Sequence, residues 1–444
     1  MRWQHRVAAA ASTLALGVGP ATAAASEEVE DVVMVAPEPD LAPPMRMRAP
    51  LPEPRDDEVL WVLATDFDAP VFDSWRRDTW GLGALRRGTI MAGHPRSYAQ
   101  GCAGGRWIAL EAGGLVCTKD GVVLLDAPQT PEQLTLAPDL SAPLPYRYAK
   151  VTAPGAPRFG AVPTLDEERR VDEGGMPPQV GVVRTQGVYF MAIDRPIDRD
   201  GQVFWRSVEG QHVREEDLSL VSPPRFRGET LVGGSLPLAF VHAARAEAFE
   251  LRDGALRKIG VAERGARFRV VGDETVDEQS FVFAADGVAV RREEVRIAQR
   301  IARPRSVPRD ARWIHIDLDE QTLVAYEGDR PVRATLVSTG TTGFETPAGV
   351  HRVRRKYVSR RMRGPDPDHG TYDIEEVPWI LYYNRGFALH GAYWHDEFGT
   401  TRSHGCTNVP PDDARWLFHW STPEVPEGWH GVHRAGTHVV LTRT

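Results

Sequence analysis

The sequence predicts a mainly β protein that ends in a larger β domain carrying one helix. Three observations predict it. Residues 312–339, RWIHIDLDEQTLVAYEGDRPVRATLVST, alternate apolar and polar side chains on both sides of a turn at Glu327-Gly328-Asp329, the period-two pattern of strands with one buried face. Short apolar runs broken by turn residues recur upstream, as VLWVLA, GTIMA, RWIALEA, GLVCT and GVVLL, and later as LPLAFV, ARFRVV and SFVFAADGVAVRREEV. Helical periodicity is convincing in one place, PDDARWLFHW (411–420), where Ala414, Leu417 and Phe418 share a face and Asp412 or Asp413 is the expected cap. The 444 residues suggest two to four domains, and 42% hydrophobic content suffices for ordinary cores. A net charge of −8 and a pI near 6.0 argue against wholesale nucleic-acid binding.

Along the chain, residues 1–25 read as a signal peptide. Arg2, His5 and Arg6 form a basic head, Val7 to Val18 an apolar run, and Ala21-Thr22-Ala23 the small residues of a cleavage site. The run is short for a membrane span, so the expectation is cleavage near Ala23 or Ala25 and no membrane span afterwards. Residues 26–55 contain APEPDLAPPMRMRAPLPEP and read as a stiff, disordered spacer. Residues 56–135 and 226–300 each read as a small strand-rich module. Their strand spacing, with RRGT or ERGA at a mid-module turn, resembles bacterial SH3-like barrels. Residues 140–225 are also β-rich, and the sequence leaves open whether they form a unit or join a neighbour. The charged, proline-bearing stretch 297–310 reads as a boundary before the last domain, 312–444.

Export means an oxidising compartment. Cys102 and Cys117 bracket a predicted hairpin, and a local disulfide between them is expected, with two buried free thiols as the alternative. Cys406 is then the odd thiol, which in an exported protein means intermolecular pairing or a reactive site. It stands in TTRSHGCTNVPPDD (400–413). A thiol becomes a nucleophile when its pKa is lowered or when a base takes its proton during attack. Gly405 beside it lets a substrate approach the backbone and leaves N–H groups for an oxyanion. Two imidazoles are candidate bases: His404, two residues away, and His390 at the end of a predicted strand. The base of a cysteine enzyme usually comes from elsewhere in the chain, which favours His390 slightly over the nearby His404. A zinc set of His390, His395, His404 and Cys406 is conceivable by ligand type but matches no common zinc spacing.

LHG (389–391), then SHGCTN (403–408), with STGTTGFETPAGVHRV (338–353) upstream, resembles the L,D-transpeptidase catalytic domain of the YkuD type. The resemblance covers 312–444, under a third of the chain. It implies a β fold peculiar to these enzymes, with a helix after the cysteine motif. It also implies that Cys406 is the nucleophile, that His390 is the general base, and that the Gly391 carbonyl orients that imidazole. Ser403, His404 and Gly405 would shape the thiol pocket, and N–H groups near Gly405 and Cys406 would form the oxyanion hole. Asn408 matches a polar family position; Thr407 departs from the hydrophobic residue of many relatives. Asn408, Arg402, Tyr383, Trp394 and Arg361 are the expected substrate contacts, the last beside Arg360 and Arg363 in a lid over 357–379. Trp379 is a further aromatic expected near the cleft.

The reaction so implied is acyl transfer on peptidoglycan stem peptides. The thiolate attacks at the L-centre of meso-diaminopimelate in a tetrapeptide, D-alanine leaves, and a second stem's amine resolves the thioester into a 3→3 cross-link. Water as acceptor would give an L,D-carboxypeptidase, and a protein lysine an anchoring enzyme. A non-catalytic wall-binding protein, holding the sacculus through its SH3-like modules, is the alternative of a different class. No cofactor and no metal is expected, and the periplasm or cell envelope is the expected location.

Overall fold

A computed structural model describes residues 59–77, 81–98, 100–129, 137–233 and 235–443. The expected signal peptide and the proline-rich spacer lie outside these residues.

From Arg312 onward the chain forms β1 (Arg312–Asp317), β2 (Thr322–Glu327), β3 (Arg330–Leu336) and β4 (Gly349–Arg352). A long hairpin follows, β5 (Arg355–Asp366) and β6 (Gly370–Asn384), then β7 (Phe387–Gly391) and β8 (Thr407–Val409). A helix (Pro411–Trp420), β9 (Trp429–His433) and β10 (His438–Thr442) close the chain. β1, β2 and β3 form an antiparallel meander, β10 lies parallel to β1, and β4 pairs with β10.

Both faces of this sheet are buried. Ile314, Ile316, Leu323, Ala325, Val439 and Leu441 face one core, together with the helix residues Ala414, Leu417 and Phe418. Trp313, Val324, Tyr326 and Val440 face another. Trp313 stacks on Tyr326 with ring centroids 4.1 Å apart. Burying each large side chain removes apolar area from water and contributes about 1.5–3 kcal/mol.

The helix start differs from expectation. Neither aspartate caps it; the N-cap is Pro410 and Pro411 follows. Proline has no N–H to satisfy, and its fixed φ suits a first turn. Asp413 turns into the core instead, where it accepts from Arg333 Nε (2.6 Å), Thr335 Oγ1 (2.7 Å) and the Gly228 N–H (2.8 Å). At the other end, the buried Lys356 Nζ donates to the Phe418 and Ser421 carbonyls at 2.5 and 2.9 Å. It thereby satisfies helix carbonyls that have no intrahelical partner.

The β5–β6 hairpin is the middle of a second, mixed sheet. β5 pairs with β9, and β9 continues into the strands Gly83–Leu85 and Ala69–Val71. β6 pairs in parallel with the strand Val188–Arg199, in the register Val188↔Tyr372 to Phe190↔Ile374. That strand pairs in turn with Arg147–Val151 and Gln202–Ser207. The middle region left open by the sequence is therefore welded to the hairpin of the last domain.

Upstream, the strands Leu115–Cys117, Trp107–Leu110, Ile90–Arg96, Leu60–Ala64 and Val122–Leu125 form a five-stranded sheet in that spatial order. A disulfide joins Cys102 and Cys117 across its edge. Seven strands between Leu238 and Ala298 make a separate sheet. Within the expected 226–300 module, however, Glu229–Thr230 pairs with β3 of the last domain. A second helix, Leu165–Asp172, was not foreseen. Its capping box, Thr164 with Glu167, is visible in the sequence, but the segment is short and strongly polar. No helix among the described residues is long and apolar enough to cross a membrane.

Candidate active site

The site is set by the parallel pairing of β7 with β8. Their register runs Leu389↔Thr407, His390↔Asn408 and Gly391↔Val409. His390 thus stands next to the end of one strand while Cys406 immediately precedes the other. The segment 338–346 braces the cysteine loop from outside. Ser338 bridges to Asn408 and Gly340 to Ser403, the Thr341 N–H donates to the Ser403 carbonyl at 3.0 Å, and Thr346 Oγ1 donates to the Gly405 carbonyl at 2.8 Å. Within the loop, Ser403 Oγ donates to the Cys406 carbonyl and accepts from the Gly405 N–H at 3.1 Å.

Gly405 has φ +111°, a region that L side chains rarely adopt, and an added Cβ would stand 2.7 Å from Phe387 Cε1. This is the one glycine of the site where both conformation and space demand the absence of a side chain.

Cys406 is a free, partly exposed thiol whose Sγ lies 3.7 Å from the Gly386 carbonyl. Burial pushes its pKa up to about 11. His390 is 3% exposed, and burial pulls its pKa down to about 4. Its Nδ1 lies 3.4 Å from the Gly391 carbonyl. A carbonyl only accepts, so Nδ1 carries the hydrogen and Nε2 keeps the lone pair a base needs. At neutral pH both groups are uncharged. To act as a nucleophile, such a thiol would have to lose its proton during attack rather than wait as a thiolate.

His404 occupies a different place. Its ring lies 4.9 Å from those of both Phe344 and Tyr372, and its Nε2 is 3.6 Å from Asp366 Oδ2 at the tip of the β5–β6 hairpin. It ties the cysteine loop to that tip. Burial lowers its pKa, with Asp366 acting in the opposite sense.

The expected substrate contacts divide. Trp394 stands at the site: its ring is 5.7 Å from His390, and it packs with Cys406 against one apolar cluster. Tyr383, at 2% exposure, belongs to the core beneath β6 and does not line a cleft, because alternation along the strand turns it inward. Trp379 is likewise core, fully buried with Nε1 donating to the Pro143 carbonyl at 2.6 Å. Arg361 is not available to a substrate. Its guanidinium is forked onto Asp373 of β6 at 2.6 and 2.5 Å and holds Glu209 of the upstream region at 2.5 Å, so its donors are already consumed. Arg402 is ion-paired with Glu397. Asn408 is buried and donates to His395 Nε2 at 2.9 Å, which makes it a support of the 390s loop.

Asp366, Asp368 and His369 bring potential metal-ligand atoms within 4.8 Å of one another at the hairpin tip. Asp366 Oδ1 is already engaged by the backbone N–H groups of Asp368 and His369, at 3.0 and 2.8 Å.

Sequence reasoning missed Glu375 and Glu376, two consecutive buried carboxyls in β6. Glu375 accepts from Tyr189 and from the Ala192 N–H; Glu376 accepts from Ser359 Oγ at 2.5 Å. Burial raises both, Glu376 to about 8. The adjacent acidic pair, set just before the apolar run Val377–Tyr383, was the signal available.

Residues 311–440 match the family model of the YkuD L,D-transpeptidase catalytic domain. Residues 311–440 are thus the part of the chain that matches an L,D-transpeptidase catalytic domain, and residues 1–310 lie outside the match. Among solved structures, the chain is similar to the L,D-transpeptidase (residues 123–326) from Xylanimonas cellulosilytica, at 24% identity over 32% of this chain and 65% of that chain, TM-score 0.23. It is similar to the catalytic domain of the E. faecium L,D-transpeptidase, at 24% identity over 30% and 98%, TM-score 0.25. It is also similar to an L,D-transpeptidase from Mycobacterium smegmatis, at 14% identity over 58% and 95%, TM-score 0.25. The chain thus spans just under two thirds of the first of these. No curated protein matches it.

Proposed function

We propose that the protein is an exported peptidoglycan L,D-transpeptidase acting through a Cys406 thioester. The observation that carries this reading is the free Cys406 thiol at the start of a strand whose register pairs Asn408 with the buried His390, the Nδ1 of which faces the Gly391 carbonyl, within a YkuD domain. The donor is a tetrapeptide stem. Cys406 Sγ attacks the carbonyl carbon of the L-centre of its diaminopimelate while His390 Nε2 takes the thiol proton. That proton passes to the departing amine of D-alanine as the C–N bond breaks, leaving the thioester. The Gly405 N–H is held by Ser403, so the Cys406 N–H is the donor left to meet the oxyanion. The upstream sheets would hold the sacculus.

The test is to incubate the mature chain with disaccharide-tetrapeptide and read the products by mass spectrometry beside Cys406→Ala. A dimer with loss of D-alanine, absent from the variant, is the expected result. Tripeptide alone would make the enzyme a carboxypeptidase on that substrate. No product of either kind would refute the reading.

A further inference from the structure

A cleft of about 760 Å³ lies on the His390 side of the site, within the size range of small-ligand sites. It is built by four parts of the chain: Lys150 and Phe190 from the middle region, the segment 219–227, Arg264 and Arg267 from a turn of the seven-stranded sheet and the strand that follows it, and Trp394 of the catalytic domain. Its lining carries five cationic side chains against one carboxylate, Asp396, in a chain whose net charge is −8. Two of the cations are committed: Arg264 Nη1 donates to the Asp396 carbonyl at 3.0 Å, and Arg267 pairs with Glu229 at 2.9 Å. Lys150, Arg225 and Arg227 are exposed and make no ion pair among the described residues. Pro223-Pro224 stiffens the wall that carries the two arginines, and Phe226 anchors it, 5.9 Å from Phe240 and 6.3 Å from Phe398. The other approach to the loop is occupied by the hairpin tip, where Tyr372 and Asp366 meet His404.

We propose that this cleft is the acceptor site, and that it takes an acidic peptide bearing a free amine through Lys150, Arg225 and Arg227. This rests on the thioester reaction proposed above and assigns its second half to residues upstream of the catalytic domain. Trp394 both lines the cleft and stands 5.7 Å from His390, so a peptide held there brings its amine to the base. The neutral amine nitrogen attacks the thioester carbonyl carbon; the C–N bond forms and the C–S bond breaks. The surplus proton on nitrogen passes to His390 Nε2 and from there to the leaving Sγ of Cys406. Carboxylates on the peptide meet guanidinium and ammonium groups that make no ion pair among the described residues, and such charge-assisted contacts are the strong ones.

The experiment supplies the full mature chain with unlabelled disaccharide-tetrapeptide donor and isotope-labelled tripeptide as acceptor. The triple variant K150A/R225A/R227A is compared with wild type and with Arg257→Ala, an exposed cation outside the cleft. The triple variant should raise the KM for labelled acceptor roughly tenfold, as expected for three exposed charge contacts. The ratio of labelled dimer to hydrolysed tripeptide should fall by a similar factor, while Arg257→Ala keeps the wild-type ratio. An acceptor with amidated carboxyls should be poor for the wild type and no worse for the variant. An unchanged ratio would overturn the assignment. So would a matching fall in D-alanine release without added acceptor, which would place the cleft with the donor. If the wild type releases no D-alanine at all, the thioester reaction itself is wrong, and the assignment goes with it.

Discussion

At Gly405 a single missing carbon atom decides whether the cysteine loop closes. Its φ of +111° and the 2.7 Å approach to Phe387 leave an added methyl group nowhere to go. Gly405→Ala should destabilise the protein by about 1–3 kcal/mol and remove most activity; unchanged melting and turnover would refute the geometry. The thiol gives a second prediction. With its pKa near 11, about one part in ten thousand is thiolate at pH 7. Alkylation by iodoacetamide should therefore be slow at neutral pH and keep rising towards pH 11, whereas donor turnover, which uses His390, should not follow it. An alkylation plateau near pH 7 would mean that a thiolate waits there already. His390→Ala should cost about 10²–10⁴-fold in turnover, the usual contribution of a general base. S-H-G-C and L-H-G were legible as motifs because they are local, and the pairing of β7 with β8 brings the two together. The roles of Arg361, Tyr383 and Asn408 were not, because a sequence does not say which of several partners an arginine meets, or to which side of a bulged strand a tyrosine turns.

Among the elements, the helix after the motif is best fixed by its buried ends. Asp413 accepts three hydrogen bonds inside the core, and Arg333 is its counter-ion. Burial raises its pKa while Arg333 opposes the rise. Removing it by Asp413→Ala leaves Arg333 without that partner, and breaking such a buried pair costs about 3–5 kcal/mol. Urea unfolding should show a loss of that size, and a loss below about 1 kcal/mol would mean the cluster is dispensable. The helix itself was legible from the spacing of Ala414, Leu417 and Phe418. Its start was misread because aspartates following a Pro-Pro pair look like caps, and only the position of Arg333, eighty residues earlier, shows why one points inward. The pairing of Val188–Phe190 with Tyr372–Ile374 is equally non-local. Nothing in either run names the other.

Across the whole molecule, buried titratable groups set the response to acid. Burial holds His315, His390 and His433 near pKa 4 and His395, also depressed by Arg402 and His390, near 3. Between pH 6.5 and about 4 the unfolded chain binds these protons and the native chain does not, so stability falls as pH falls through that window. Glu376 works in the opposite sense. Its burial raises the folded pKa to about 8, so acidification from pH 8 relieves a cost. Glu375 and Asp413, also raised by burial, act in the same opposing sense, so the histidines are read by difference: His315→Asn should flatten the fall in melting temperature between pH 6.5 and about 4 relative to wild type, and an identical slope would refute this accounting.

The shared sheet has one more consequence, for anyone who would cut the chain. A fragment starting at residue 311 keeps every residue of the matched family domain yet loses the neighbours of β6 and β9. Tyr372–Ile374 and Gly431–Val432 would then present raw edges, open backbone rows that invite other chains to pair with them. Phe190 and Tyr148 would vanish from the apolar cluster that also holds Cys406. Such a fragment should aggregate on expression, and its insolubility would say nothing against its chemistry.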